Sequence, residues 1–108
     1  MTTEDKKRAA RKALEDRILN GEGETTHDQR VRAFNNAGLP EPLDTLLDKV
    51  ATKPAQVTDA DVAAAKASGV SEHQIFELVI CAAVGQSARQ YEAGLAALAE
   101  ALGDGEGR

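Results

Sequence analysis

From Ser71 to Leu102 the chain runs SEHQIFELVICAAVGQSARQYEAGLAALAEAL, with no proline and two glycines. A stretch of this length and composition has one regular solution, a long helix. Ser71 and Gln74 have the spacing of a capping box, in which the serine oxygen takes a free amide of the first turn and the glutamine reaches back. Ile75 to Val84 is apolar on nearly every side, which predicts a half buried all round. From Val84 the apolar residues narrow to Val84, Ala88, Tyr91, Leu95, Leu98 and Leu102. Their gaps alternate four and three, the period of helices packed side by side in a bundle.

The segments before it also read as helices. Thr3 to Asn20 carries Glu4 and Asp5 in its first turn, where they complement the helix dipole, and a thin stripe of Ala10, Leu14 and Ile18. Asn20 to Glu24 (NGEGE) reads as a flexible joint. Thr26 with Gln29 offers a second capping box, with a stop at Gly38. Pro42 is suited to open a helix carrying Leu43, Leu46, Leu47 and Val50, which ends before Pro54. Thr58 and Asp61 cap a short helix closed by Gly69, and Gly103 to Arg108 reads as a disordered tail. No run alternates for long enough to be a strand. The expectation is an all-α chain in three parts: an N-terminal helix and joint (1–24), a helical core (25–103) and the tail (104–108).

Composition narrows the function. At 108 residues the chain is one domain, small enough that burial by a second subunit would help. One cysteine excludes an internal disulfide and a four-cysteine zinc site, so no metal and no cofactor is expected. No run approaches the roughly 18 apolar residues of a membrane span, and the N-terminus lacks a signal-peptide core. A cytoplasmic protein without a membrane partner is expected. Residues 1–20 hold six basic side chains against four acidic, while residues 33–108 hold five against eleven. The acidic body makes nucleic acid a poor partner; the basic cluster Lys6, Lys7, Arg8, Arg11 and Lys12 reads as a solvated helix face, or else as a contact for a phosphate backbone or an acidic partner. Ala65, Gly69 and Ile75 do have helix-turn-helix spacing. The second helix of that pair would present Glu72 and Glu77 to phosphates, and DNA binding therefore ranks below the other readings.

Residues 58–102 resemble the carboxymuconolactone decarboxylase / alkylhydroperoxidase-D-like family. The matching marks are the short alanine-rich helix, the Ala67-Ser68-Gly69-Val70-Ser71 turn, the Ile75-Phe76-Glu77 start and the Ala82-Ala83-Val84-Gly85 step; helix 43–53 fits the family helix before the active-site turn. The resemblance implies a helical bundle that associates through its long helices into dimers, trimers or hexamers. The peroxidase branch carries Cys-x-x-Cys-x-x-x-His just before this turn. Counting back from Gly69, those positions hold Pro54, Val57 and Asp61, and a dithiol mechanism needs two sulfurs. The family's proton-shuttling glutamate has its nearest counterpart in Glu41.

His73, Glu77 and Cys81 remain as catalytic candidates, spaced i, i+4 and i+8 along one side of the helix. They span about 12 Å, too far for all three to hold one metal. A carboxylate in so apolar a stretch either finds a cation or shifts its pKa upward. Arg89 of a neighbouring chain is a candidate partner for Glu77. Val84, Gly85, Ala88, Arg89, Tyr91, Leu95 and Leu98 are expected to pack between subunits. The resulting expectation is a homo-oligomeric structural or accessory protein without redox chemistry, with an enzyme as its prospective partner. The alternative is an enzyme of the superfamily with an altered site.

Overall fold

The computed structural model describes residues 2–106, with side chains through residue 103. Among these residues every regular element is helical: α1 (Thr3–Asn20), α2 (His27–Asn35), α3 (Leu43–Thr52), α4 (Asp59–Ala67) and α5 (Glu72–Glu106), with one 3-10 turn at Pro54–Gln56. None is long and apolar enough to cross a membrane.

The helix starts follow their caps. Thr26 with Gln29 and Thr58 with Asp61 form reciprocal capping boxes. The Ser71 hydroxyl accepts from the Gln74 amide at 3.0 Å while the Gln74 side chain accepts from the Ser71 amide at 2.9 Å. Thr2 with Asp5 adds a box at α1. Two ends depart from expectation. Helix α2 stops at Asn36, whose left-handed backbone (φ 50°) ends it before Gly38, because a short polar side chain tolerates that conformation. Helix α5 continues through Gly103 to Glu106; Gly107 and Arg108 of the expected tail lie outside the described residues.

Helices α2 and α3 pack on the first half of α5, and Ala33, Leu43, Leu46, Leu47, Ala65, Ile75, Leu78, Cys81 and Ala82 form the core. The closest approach is between Gly85 and the end of α2. A Cβ at position 85 would lie 2.6 Å from the Phe34 carbonyl carbon and 2.9 Å from its Cα. Arg89, one turn on, donates to the Phe34 carbonyl at 2.6 Å and to Gln86 Oε1 at 2.8 Å, closing the C-terminus of α2 with a cation. Gly85 and Arg89 therefore serve a crossing within the chain.

Helix α5 is also not buried all round between Ile75 and Val84: Phe76 is 61% exposed and Ala83 is exposed. Most of the packing on α5 comes from α2 and α3, which leaves Phe76 and Ala83 uncovered. At about 1.5 Å per residue its 35 residues span roughly 52 Å, close to the longest dimension of the molecule, 58 Å. The radius of gyration, 16.7 Å, exceeds the roughly 13 Å of a compact chain this long. The excess is the far half of α5, where every side chain from Ala96 to Gly103 is exposed.

Helix α1 lies along α5 and contributes no buried residue. Its contacts are amphipathic. The Arg11 guanidinium stacks 4.6 Å from the Tyr91 ring centre and pairs with Glu92 and Glu15, while the Tyr91 hydroxyl donates to Glu4 at 3.3 Å.

Candidate functional site

A polar cluster that reaches into the core is centred on Glu77. The segment between α1 and α2 crosses α5 there. The Glu24 amide donates to Glu77 Oε2 at 2.8 Å, the Thr25 amide to Oε1 at 2.9 Å and the Thr25 hydroxyl to Oε1 at 2.6 Å. His73 Nε2 stands 3.0 Å from Oε2, as the i, i+4 spacing predicts, and Arg30 lies 3.5 Å from Oε1.

Arg30 is 5% exposed and binds the same segment from below. Its Nε donates to the Thr25 hydroxyl at 2.8 Å, and Nη1 donates to the Gly21 carbonyl and reaches the Ile18 carbonyl at 3.5 Å. The guanidinium thus satisfies the free carbonyls at the end of α1, while the carboxylate satisfies two amides beyond it. Gly23 passes between them. A Cβ there would lie 2.7 Å from each Glu77 oxygen and against Arg30. The expected joint is therefore a tied crossing.

Electrostatics follow from this geometry. Burial pushes the Glu77 carboxyl up, but the Thr25 hydroxyl, the Glu24 and Thr25 amides and Arg30 together outweigh it and hold the pKa at about 2. A carboxylate so acidic, with donors on both oxygens, is a poor general base at neutral pH. Cys81 is 1% exposed and its thiol is pushed up by burial; nucleophilic cysteines need the opposite shift and access. His73 is 60% exposed, with Glu77 beside it and Glu24 at 4.0 Å. The three residues share one side of α5, yet His73 faces solvent, Glu77 the crossing and Cys81 the core.

The pairing of Glu77 with Arg30 of its own chain replaces the expected partner, Arg89 of a neighbour. Thr25 and Arg30 were not singled out in the sequence. A usable signal did exist: a lone carboxylate in an apolar run requires a cation, and Arg30 lies one turn before Ala33 on the buried side of α2.

A cavity of about 170 Å³ beside the cluster is lined by Arg17, Ile18, Glu22, Arg30, Glu77 and Ile80. Its buried charges, Arg30 and Glu77, are already paired with each other. No group of three or more His, Cys, Asp or Glu side chains among the described residues is placed to hold a metal ion.

The positions where the peroxidase branch would carry its motif have structural work. Pro54 opens the 3-10 turn, Val57 is half-buried, and Asp61 caps α4 and accepts from Lys49 Nζ at 2.9 Å. The Lys49 contact, with the Thr58 amide and hydroxyl, lowers the Asp61 pKa against burial. Glu41 accepts from the Thr45 hydroxyl at 2.5 Å. Comparison with protein-family models, curated proteins and solved structures returned no match to this chain.

Proposed function

We propose that this chain is a non-redox structural or accessory protein built on an alkylhydroperoxidase-D-like helical core, which works as a homo-oligomer and serves a partner such as an enzyme. One observation carries the non-catalytic half of this reading. Glu77, the carboxylate best placed for chemistry, is consumed in tying the α1–α2 crossing to α5. The assembly half is supported by the large side chains left uncovered along α1 and α5: Leu14, Phe76, Tyr91, Leu98 and Leu102. Scattered apolar residues are ordinary on a protein surface, but Phe76, Leu98 and Leu102 are each more than half exposed on the same helix, and large apolar side chains exposed together mark an interaction face.

A second reading, an enzyme of the same superfamily with an altered site, is favoured by one feature. A trough of about 380 Å³ between α3 and α5 lies beside Pro54 and carries the amides of Gln86 and Gln90. The two readings separate in one purification. The accessory reading expects a mass of two or more chains, no bound small molecule by native mass spectrometry, and no peroxide reduction with a dithiol donor. A small molecule retained stoichiometrically and lost on Gln86→Ala would establish the second reading; thiol-dependent peroxide turnover would overturn the first.

A further inference from the structure

Helix α1 is held differently at its two ends. At the C-terminal end Ile18 packs against the core, Arg30 takes the Ile18 and Gly21 carbonyls, and the residues that follow are tied to Glu77. Toward the N-terminus the hold weakens turn by turn. Leu14 is 49% exposed, and every residue from Thr2 to Ala10 is exposed. The contacts of this half with α5 are polar and lie at the surface. Arg11 pairs with the half-exposed Glu92 and stacks on the Tyr91 ring, and the Tyr91 hydroxyl donates to Glu4. Exposed pairs of this kind contribute little, and salt screens them.

The seat itself is loose. Leu14 and Glu15 of α1 line one trough of about 450 Å³ with Val84, Ala88 and Tyr91 of α5, so the two helices lack there the close contacts that make a core cohesive. Docking also shuts two donors of Arg11 away from water. Nη1 has no acceptor, and Nε stands 3.4 Å from Glu15 outside hydrogen-bond geometry. Buried donors left unpaired favour a conformation that returns them to solvent. A tied root and a loose tip make a lever.

We propose that α1 is a salt-sensitive hinged cover: its segment from Thr3 to Leu14 lifts from α5 while Ile18 to Thr25 stay fixed, baring Val84, Ala88 and Tyr91. Raised, the cover returns the Arg11 donors to water and gives up the Glu92 pair. Lowered, it shields that strip of α5. Whatever screens Glu92, or replaces it as the counter-charge of Arg11, shifts the balance toward the raised state. The device works within one chain and does not depend on the assembly reading above.

The chain carries its own reporter, since Tyr91 is the sole tyrosine and tryptophan is absent. Raising salt to about 1 M, where the Debye length falls to about 3 Å, is expected to increase Tyr91 fluorescence as the Glu4 carboxylate leaves its hydroxyl. In hydrogen exchange on the full chain the same step is expected to speed residues 3–14 several-fold and to leave residues 18–30 unchanged, with Cys81 still unreactive. Arg11→Gln and Glu92→Gln, which break the pair from opposite sides, are each expected to reproduce both signals at low salt and to remove most of the response to added salt. Fluorescence and exchange that ignore salt overturn the proposal. So does an α1 without protection at either salt concentration, or a loss of protection that runs through Thr25 into α2.

Discussion

The Thr25 hydroxyl donates to Glu77 at 2.6 Å while accepting from Arg30 Nε at 2.8 Å, so one hydroxyl sits between the charges of a buried pair and belongs to both. Removing any of the three leaves the others short of a partner, which in a buried site costs about 1–3 kcal/mol. Thr25→Val and Glu77→Gln are each expected to destabilise the chain by that order. Their effects should fall short of additive in a double-mutant cycle read by urea unfolding. Strict additivity would mean the groups act independently.

Acid should release the crossing. The Glu77 pKa falls from 4.5 to about 2 on folding, so its contribution is complete above pH 4.5 and is lost as pH drops toward 2. At about 1.4 kcal/mol per unit the contribution is roughly 3 kcal/mol. Unfolding free energy measured against pH should drop across that window, and Glu77→Gln should flatten the drop.

Two glycines of α5 should respond in opposite directions. Gly85→Ala drives a methyl into the Phe34 backbone and is expected to cost more than 2 kcal/mol, because backbone cannot yield as a side chain end can. Gly94→Ala meets nothing in the chain and should stabilise the folded monomer by about 1 kcal/mol. Thermal melts at matched, dilute concentration would show both signs.

Gly23→Ala places a methyl against both Glu77 oxygens and Arg30. It is expected to loosen α1 while leaving the rest of the helices folded. Hydrogen exchange should show lost protection confined to residues 3–26; uniform loss across α5 would mean that the crossing supports the whole core.

Cys81 should react slowly with a disulfide reagent in the native protein and rapidly in urea, since the thiol is both buried and raised in pKa. Equal rates would place it outside the core.

Local signals in the sequence were legible because they act within a few residues. The Thr26–Gln29, Thr58–Asp61 and Ser71–Gln74 boxes each start a helix at the residue their spacing implies. Tertiary pairings were not legible. The partner of Glu77 is set by which element crosses α5 at that height, and spacing within α5 carries no information about the segment 52 residues earlier. Gly85 shows the same limit: its sequence context signals close approach, but the approaching backbone is Phe34 of the same chain. The i, i+4, i+8 placement of His73, Glu77 and Cys81 held as geometry, yet depth differs along that line because the covering elements differ.

Helix α5 answers to two demands in two places. Up to Arg89 its residues decide whether the chain folds. Past Tyr91 all but Leu95 are exposed as far as Gly103, so substitutions there are free of the core and can alter what the protein meets. Drift in that outer rod can change associates from one lineage to the next while the interior is inherited intact.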